Sequence, residues 1–162
     1  MMQLRVRALV MLGMLVTALS ATAAEIAESD SATIVFVCRH GVVNSQMAAA
    51  YFNMAAKERG LPYRAVSRGI DLYRSVPVRI QDGLALDGLE PANTPLELTA
   101  DDSSRAAKVL AFDAIPAERS GGANITYWSG IPLGIDDYGA TRDEIVRRID
   151  ALIPILEKET TR

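Results

Sequence analysis

The chain has 162 residues, 49% of them hydrophobic and 23% charged, and its 17 basic and 20 acidic residues leave a formal charge of −3. That apolar share excludes a disordered chain, and the mild acidity argues against nucleic acid and anionic membranes as partners. A single cysteine, Cys38, excludes any internal disulfide.

The chain opens with Arg5 and Arg7, an apolar run over residues 8–19, and then Ser20, Ala21, Thr22, Ala23 and Ala24. A basic start, a short apolar stretch and small residues offering an A-x-A site at Ala21-Thr22-Ala23 are the pattern of a secretory signal peptide. The apolar run falls short of the roughly 20 residues that span a bilayer. The expectation is therefore a signal peptide over residues 1–24 and one domain over residues 25–162. That domain is periplasmic or secreted and has no membrane attachment after cleavage. Both leader arginines go with the leader, leaving 15 basic against 20 acidic residues, a formal −5.

Residues 33–38 form a β-branched and aromatic run, the pattern of a strand buried on both faces. Ser45 is a good helix cap, and Met47, Ala48, Tyr51, Phe52 and Ala55 follow at helical spacing, with Gly60 and Pro62 as the stop. Residues 63–67 read as a second strand and 78–86 as a short helix. Thr99 caps another short helix over 100–106, with Asp101 and Asp102 in its first turn, where the helix dipole favours acids. Residues 108–112 and 125–128 read as the third and fourth strands. Thr141-Arg142-Asp143-Glu144 has the form of a capping box, followed by a stripe of Ile145, Val146, Ile149, Leu152, Ile153 and Leu156 with Pro154 as an expected kink. Strands alternating with helices predict an α/β fold, a four-stranded parallel sheet with helices on both faces.

In such sheets ligands bind beyond the carboxyl ends of the strands. Cys38 closes the first strand there, and a helix begins about seven residues later, so the loop between directs backbone N–H groups and a helix N-terminus at one spot. A sulfur held there is favoured as the thiolate and an anionic ligand is welcomed, which suits attack on phosphorus.

Val35-Phe36-Val37-Cys38, a short gap and Ser45-Gln46-Met47-Ala48 resemble the low-molecular-weight protein tyrosine phosphatases, with the Ser-Gln-Met-Ala stretch similar to the thioredoxin-coupled arsenate reductases of that superfamily. Ala65-Val66-Ser67-Arg68-Gly69 resembles the family's second strand and turn, Leu98-Thr99 its middle, and residues 128–144 the stretch before its final helix. The resemblance covers roughly residues 33–158 and implies the low-molecular-weight tyrosine phosphatase-like fold. It implies that Cys38 is the nucleophile and Ser45 the hydroxyl that hydrogen-bonds its thiolate, within an anion-binding loop of Arg39, His40, Gly41, Val42, Val43 and Asn44.

The departures from the family pattern bear on function. Asn44 stands where the resemblance places the phosphate-binding arginine; an amide lacks the charge and fork of a guanidinium, and losing such a contact costs on the order of 10²–10³ in rate. Gly41 replaces the family's loop asparagine, and Val43 replaces the second cysteine of the arsenate reductases, so their disulfide relay is absent. Ile131-Pro132 occupies the place of the family's Asp-Pro general acid when Trp128 and Pro132 are aligned; a shifted register offers Asp136 or Asp137. Without an acid only leaving groups that depart unaided react well. Arg39 and His40 are candidate compensators.

The expected function is an oxyanion- or partner-binding pseudoenzyme of this phosphatase-like class. Its ligand would be a phosphate-like oxyanion, a phosphorylated ligand or a protein partner, with no cofactor and no metal. Two alternatives stand beside it. One is a weak Cys38-dependent phosphatase using Ser45 and Asp136. The other is a redox- or metal-active thiol, for which Cys38 and His40 alone make a poor ligand set.

Overall fold

A computed structural model of the protein describes residues 31–161; the expected leader over 1–24 lies outside the described residues. β1 (Ala32–Cys38) is followed by α1 (Asn44–Glu58), β2 (Tyr63–Gly69), α2 (Val78–Leu86), α3 (Ala100–Arg105), β3 (Lys108–Ala111), a 3₁₀ turn (Ala117–Arg119), β4 (Ile125–Tyr127) and α4 (Tyr138–Thr160). The strands form one sheet in the order β2-β1-β3-β4, and every pairing is parallel. The expected four-stranded parallel α/β architecture is present.

Both faces of β1 are covered, which explains its unbroken apolar sequence. Successive side chains alternate between faces. Ile34 and Phe36 join Leu110 of β3, Met47, Ala48 and Phe52 of α1, and Ile145, Ile149, Ile153 and Leu156 of α4 in the larger core. Val35 and Val37 turn to the other face with Val109 and Ala111, covered by Leu98, Ala106, Ile115 and Ala123. Phe36, Phe52, Met47 and Ile149 are almost wholly buried, each contributing roughly 1.5–3 kcal/mol of transfer free energy.

Two helix starts differ from the sequence expectation. Ser45 does not cap α1. The helix begins at Asn44, the cap position is Val43 with no side-chain hydrogen bond, and the Ser45 hydroxyl is used elsewhere. Likewise α4 begins at Tyr138 under an Asp137 cap, and the Thr141 hydroxyl donates instead to carbonyls of Pro132 or Asp137. In α1 the Ser45 hydroxyl takes a partner brought in by the packed chain and the cap is left empty, whereas in α4 a nearby residue, Asp137, caps in place of Thr141. Pro154 sits inside α4 on its exposed side, and the helix runs on to Thr160.

Three elements are tied at one point. The Tyr51 hydroxyl of α1 donates to the Asp87 carboxylate after α2, and it lies 2.8 Å from the Tyr138 hydroxyl at the start of α4. Burial, then the hydrogen bonds to Asp87 and Tyr138, pushes Tyr51 far above the usual phenol range. Gly83 of α2 makes room for the Tyr138 ring, because a Cβ there would collide with it.

Candidate functional site

Cys38 ends β1 between the ends of β2 and β3, pairing with Gly69, and is 6% exposed. The loop after it crosses the end of β2 at close range. Gly41 has a φ of +68°, and a Cβ there would stand 2.8 Å from the Gly69 nitrogen. A Cβ at Gly69 would in turn stand 2.9 Å from the Gly41 nitrogen, so both backbones need glycine.

The loop turns its carbonyls outward. Arg39 O accepts from the N–H groups of Ile70 and Asp71, His40 O from Tyr73, and Gly41 O from the Gln46 side chain. Its N–H groups turn the other way. Among the described residues, no N–H of residues 40–46 has an acceptor, although residues 41–46 are buried. Val43 has no side-chain oxygen with which to cap the first turn of α1. Buried main-chain donors are nearly always paired, so such a run beside a helix N-terminus leaves its donors open to an acceptor from outside the chain.

Beneath the run lies a chain of hydroxyls. Ser67 Oγ donates to Ser45 Oγ at 2.8 Å, which leaves the Ser45 proton free for Cys38 Sγ at 2.9 Å. Both serines are fully buried. Asn93 holds Ser67 by its backbone, accepting from Ser67 N–H at 2.7 Å and donating to its carbonyl at 3.2 Å. Gln46 donates to Gly41 O and to Asn93 O. Ser45, next to the vacant cap position, thus serves the sulfur rather than the helix.

Solved structures similar to this chain carry this architecture. An arginine phosphatase, YwlE, in a cysteine-to-serine mutant with a phosphorylated active-site serine, matches with a TM-score of 0.70 and 23% identity over 78% of this chain and 96% of that one. The low-molecular-weight protein tyrosine phosphatase from T. tengcongensis matches at 0.60 and 22% identity, covering 76% and 99%. The arsenate reductase from Archaeoglobus fulgidus matches at 0.58 and 24%, covering 75% and 98%. The chain has the low-molecular-weight phosphatase fold. In sequence it matches no family model and no curated protein.

Within this phosphatase-like domain Asn44 is turned away from the loop interior. Its Nδ2 donates to Pro132 O at 2.9 Å and its Oδ1 accepts from Gly134 N–H at 3.0 Å, with the residue 5% exposed. The same segment is pressed onto α1, where a Cβ at Gly134 would stand 2.5 Å from Met47 Sδ. Asn44 therefore fastens the 131–134 segment to the start of α1. Val42 and Val43 are buried in the core.

Arg39 leans outward: its Nε donates to Asp71 at 3.2 Å, and both side chains are more than half exposed. His40 stacks on Tyr73 with ring centres 4.0 Å apart, and its Nδ1 lies 2.8 Å from Asp71 O. The general-acid candidates follow the 131–134 segment in the chain. Asp137 uses its carboxylate to cap α4, while Asp136 is exposed and its backbone carbonyl accepts from Arg79. Trp128 is core, packed on Phe36 and Phe112 with Arg148 over its ring.

Sequence reasoning assigned no role to Ser67, Asn93, Gln46 or Asp113. Asp113 stands two residues past the carboxyl end of β3, and that position was the available signal. Its Oδ2 accepts the Arg39 N–H at 2.8 Å, beside the cysteine. A surface groove of about 630 Å³ along α1 and the 87–92 loop is lined by no residue of the Cys38 loop.

Proposed function

We propose that this protein is an exported oxyanion-binding module that has kept the phosphatase-type loop and lost its catalytic cation. The observation that carries the reading is the Asn44 fastening. Both polar atoms of the side chain at the arginine position are hydrogen-bonded to the 131–134 segment, so that position supplies no charge to a bound phosphoryl group. The unpartnered N–H run supports binding, and the missing fork argues against efficient turnover. Phosphate, arsenate or a phosphorylated ligand fits the donor set. A protein partner bearing such a group is the corresponding macromolecular ligand.

One observation favours the second reading, a weak Cys38-dependent phosphatase: the Ser67–Ser45–Cys38 chain is intact and buried, as a nucleophile needs. The metal-thiol reading gains no support, since His40 is engaged by Asp71 and Tyr73.

The test is calorimetric titration of the protein with inorganic phosphate, beside turnover of p-nitrophenyl phosphate by wild type and Cys38→Ser. Binding without Cys38-dependent turnover is the expected result. A burst of nitrophenolate that Cys38→Ser abolishes would establish the phosphatase instead. No affinity at millimolar phosphate and no turnover would sink both small-ligand readings.

A further inference from the structure

We propose that Asp113 sets the anion selectivity of the Cys38 loop, favouring an oxyanion that carries a proton, such as phosphate, over one that carries none, such as sulfate. This rests on the oxyanion-binding reading above.

The loop N–H donors form a continuous run, of which the first, Arg39 N–H, is already taken by Asp113 Oδ2 at 2.8 Å. The donors from residue 40 onward have no acceptor among the described residues. A carboxylate thus stands at the edge of the anion receptor, beside the cysteine. Its other oxygen, Oδ1, has no hydrogen-bond partner among the described residues, and Asp113 is exposed.

A carboxylate can only accept hydrogen bonds. Sulfate at neutral pH also only accepts, so sulfate in the loop sets unpaired, like-charged oxygens against Asp113. Inorganic phosphate at neutral pH retains at least one proton. That proton bridges the two groups in a charge-assisted O–H···O⁻ hydrogen bond, the strong kind. The same residue therefore attracts one anion and rejects the other, which is how specificity is built where shape and size do not discriminate. Arg39 and Asp71 form an exposed ion pair at the loop mouth that acts on both anions through charge alone.

The experiment is calorimetric titration of wild type, Asp113→Asn and Asp71→Asn with inorganic phosphate and, separately, sulfate at neutral pH and constant ionic strength. Wild type is expected to bind phosphate about tenfold or more tighter than sulfate, the discrimination one hydrogen bond to a charged group provides. Asp113→Asn keeps an acceptor for the Arg39 N–H and adds an N–H donor, so sulfate gains and the preference collapses. Asp71→Asn shifts both anions alike and keeps the preference. Equal affinity in wild type, or an undiminished preference in Asp113→Asn, overturns the proposal while leaving oxyanion binding standing. Binding of neither anion to any of the three proteins overturns the oxyanion reading itself. If Asp113→Asn does not fold, Asp113→Ala and the wild-type ratio decide, because that ratio must favour phosphate for the proposal to survive.

Discussion

Asn44 shows how much a single side chain decides. An arginine at this position would have to abandon two buried hydrogen bonds and push a longer chain against the 131–134 segment. Leaving Gly134 N–H without a partner, and Pro132 O with only the Thr141 hydroxyl, costs about 1–3 kcal/mol. Asn44→Arg is therefore expected to lower the unfolding free energy by that amount, read as a lower urea midpoint at unchanged m-value, and restored turnover does not follow from restored charge. A midpoint equal to wild type would mean that the fastening contributes nothing. Ser45 makes the complementary point: a good cap by type, it lies in a first turn whose N–H groups remain open, and its proton serves the sulfur.

Among the elements, α3 is the one whose local chemistry is complete. Thr99 accepts from Asp102 N–H, the Asp102 carboxylate accepts from Thr99 N–H, and Arg68 of β2 donates two hydrogen bonds to the same carboxylate. Burial raises the Asp102 pKa, but the bonds from Arg68 and Thr99 outweigh it and hold the group below its ordinary 3.8. A depressed folded-state pKa contributes stability above the unfolded value, and that stability is lost as pH falls through the folded one. Wild type is thus expected to lose stability more steeply than Asp102→Asn below about pH 4, read from urea midpoints at successive pH values. Parallel acid profiles would show that the Arg68–Asp102 contact carries no such linkage. α1 is the contrasting element, because its cap is absent and its first turn stays open to a ligand.

For the whole molecule, the sheet order β2-β1-β3-β4 brings Cys38, Gly69 and Asp113 to one edge, from segments far apart in sequence. Export is proposed from the leader pattern alone. Mass spectrometry of the protein recovered from its host's extracytoplasmic fraction is expected to show a chain beginning near Glu25; an intact N-terminus at Met1 or Met2 would refute it. The fold was legible because β1 is an unbroken apolar run, as two covered sheet faces demand, and α4 bears a strong helical periodicity. The place of Cys38 in a turn before a helix was legible from spacing, since a strand-loop-helix unit is local; the roles expected of Cys38, Ser45 and Asn44 came from the family resemblance.

What the sequence by itself determined were the elements, their parallel arrangement and the place of the loop. Those follow from side-chain periodicity and from glycine, proline and capping chemistry acting over a few residues. Only the tertiary structure decided the rest: that Ser67 feeds Ser45, that Asn44 faces Pro132 and Gly134, that Arg39 is paired with Asp71, and that Asp113 meets the loop. Each of these joins residues separated by 22 to 90 positions. A polar side chain takes the best partner the packed chain brings within about 3 Å, and no local pattern records which partner that will be.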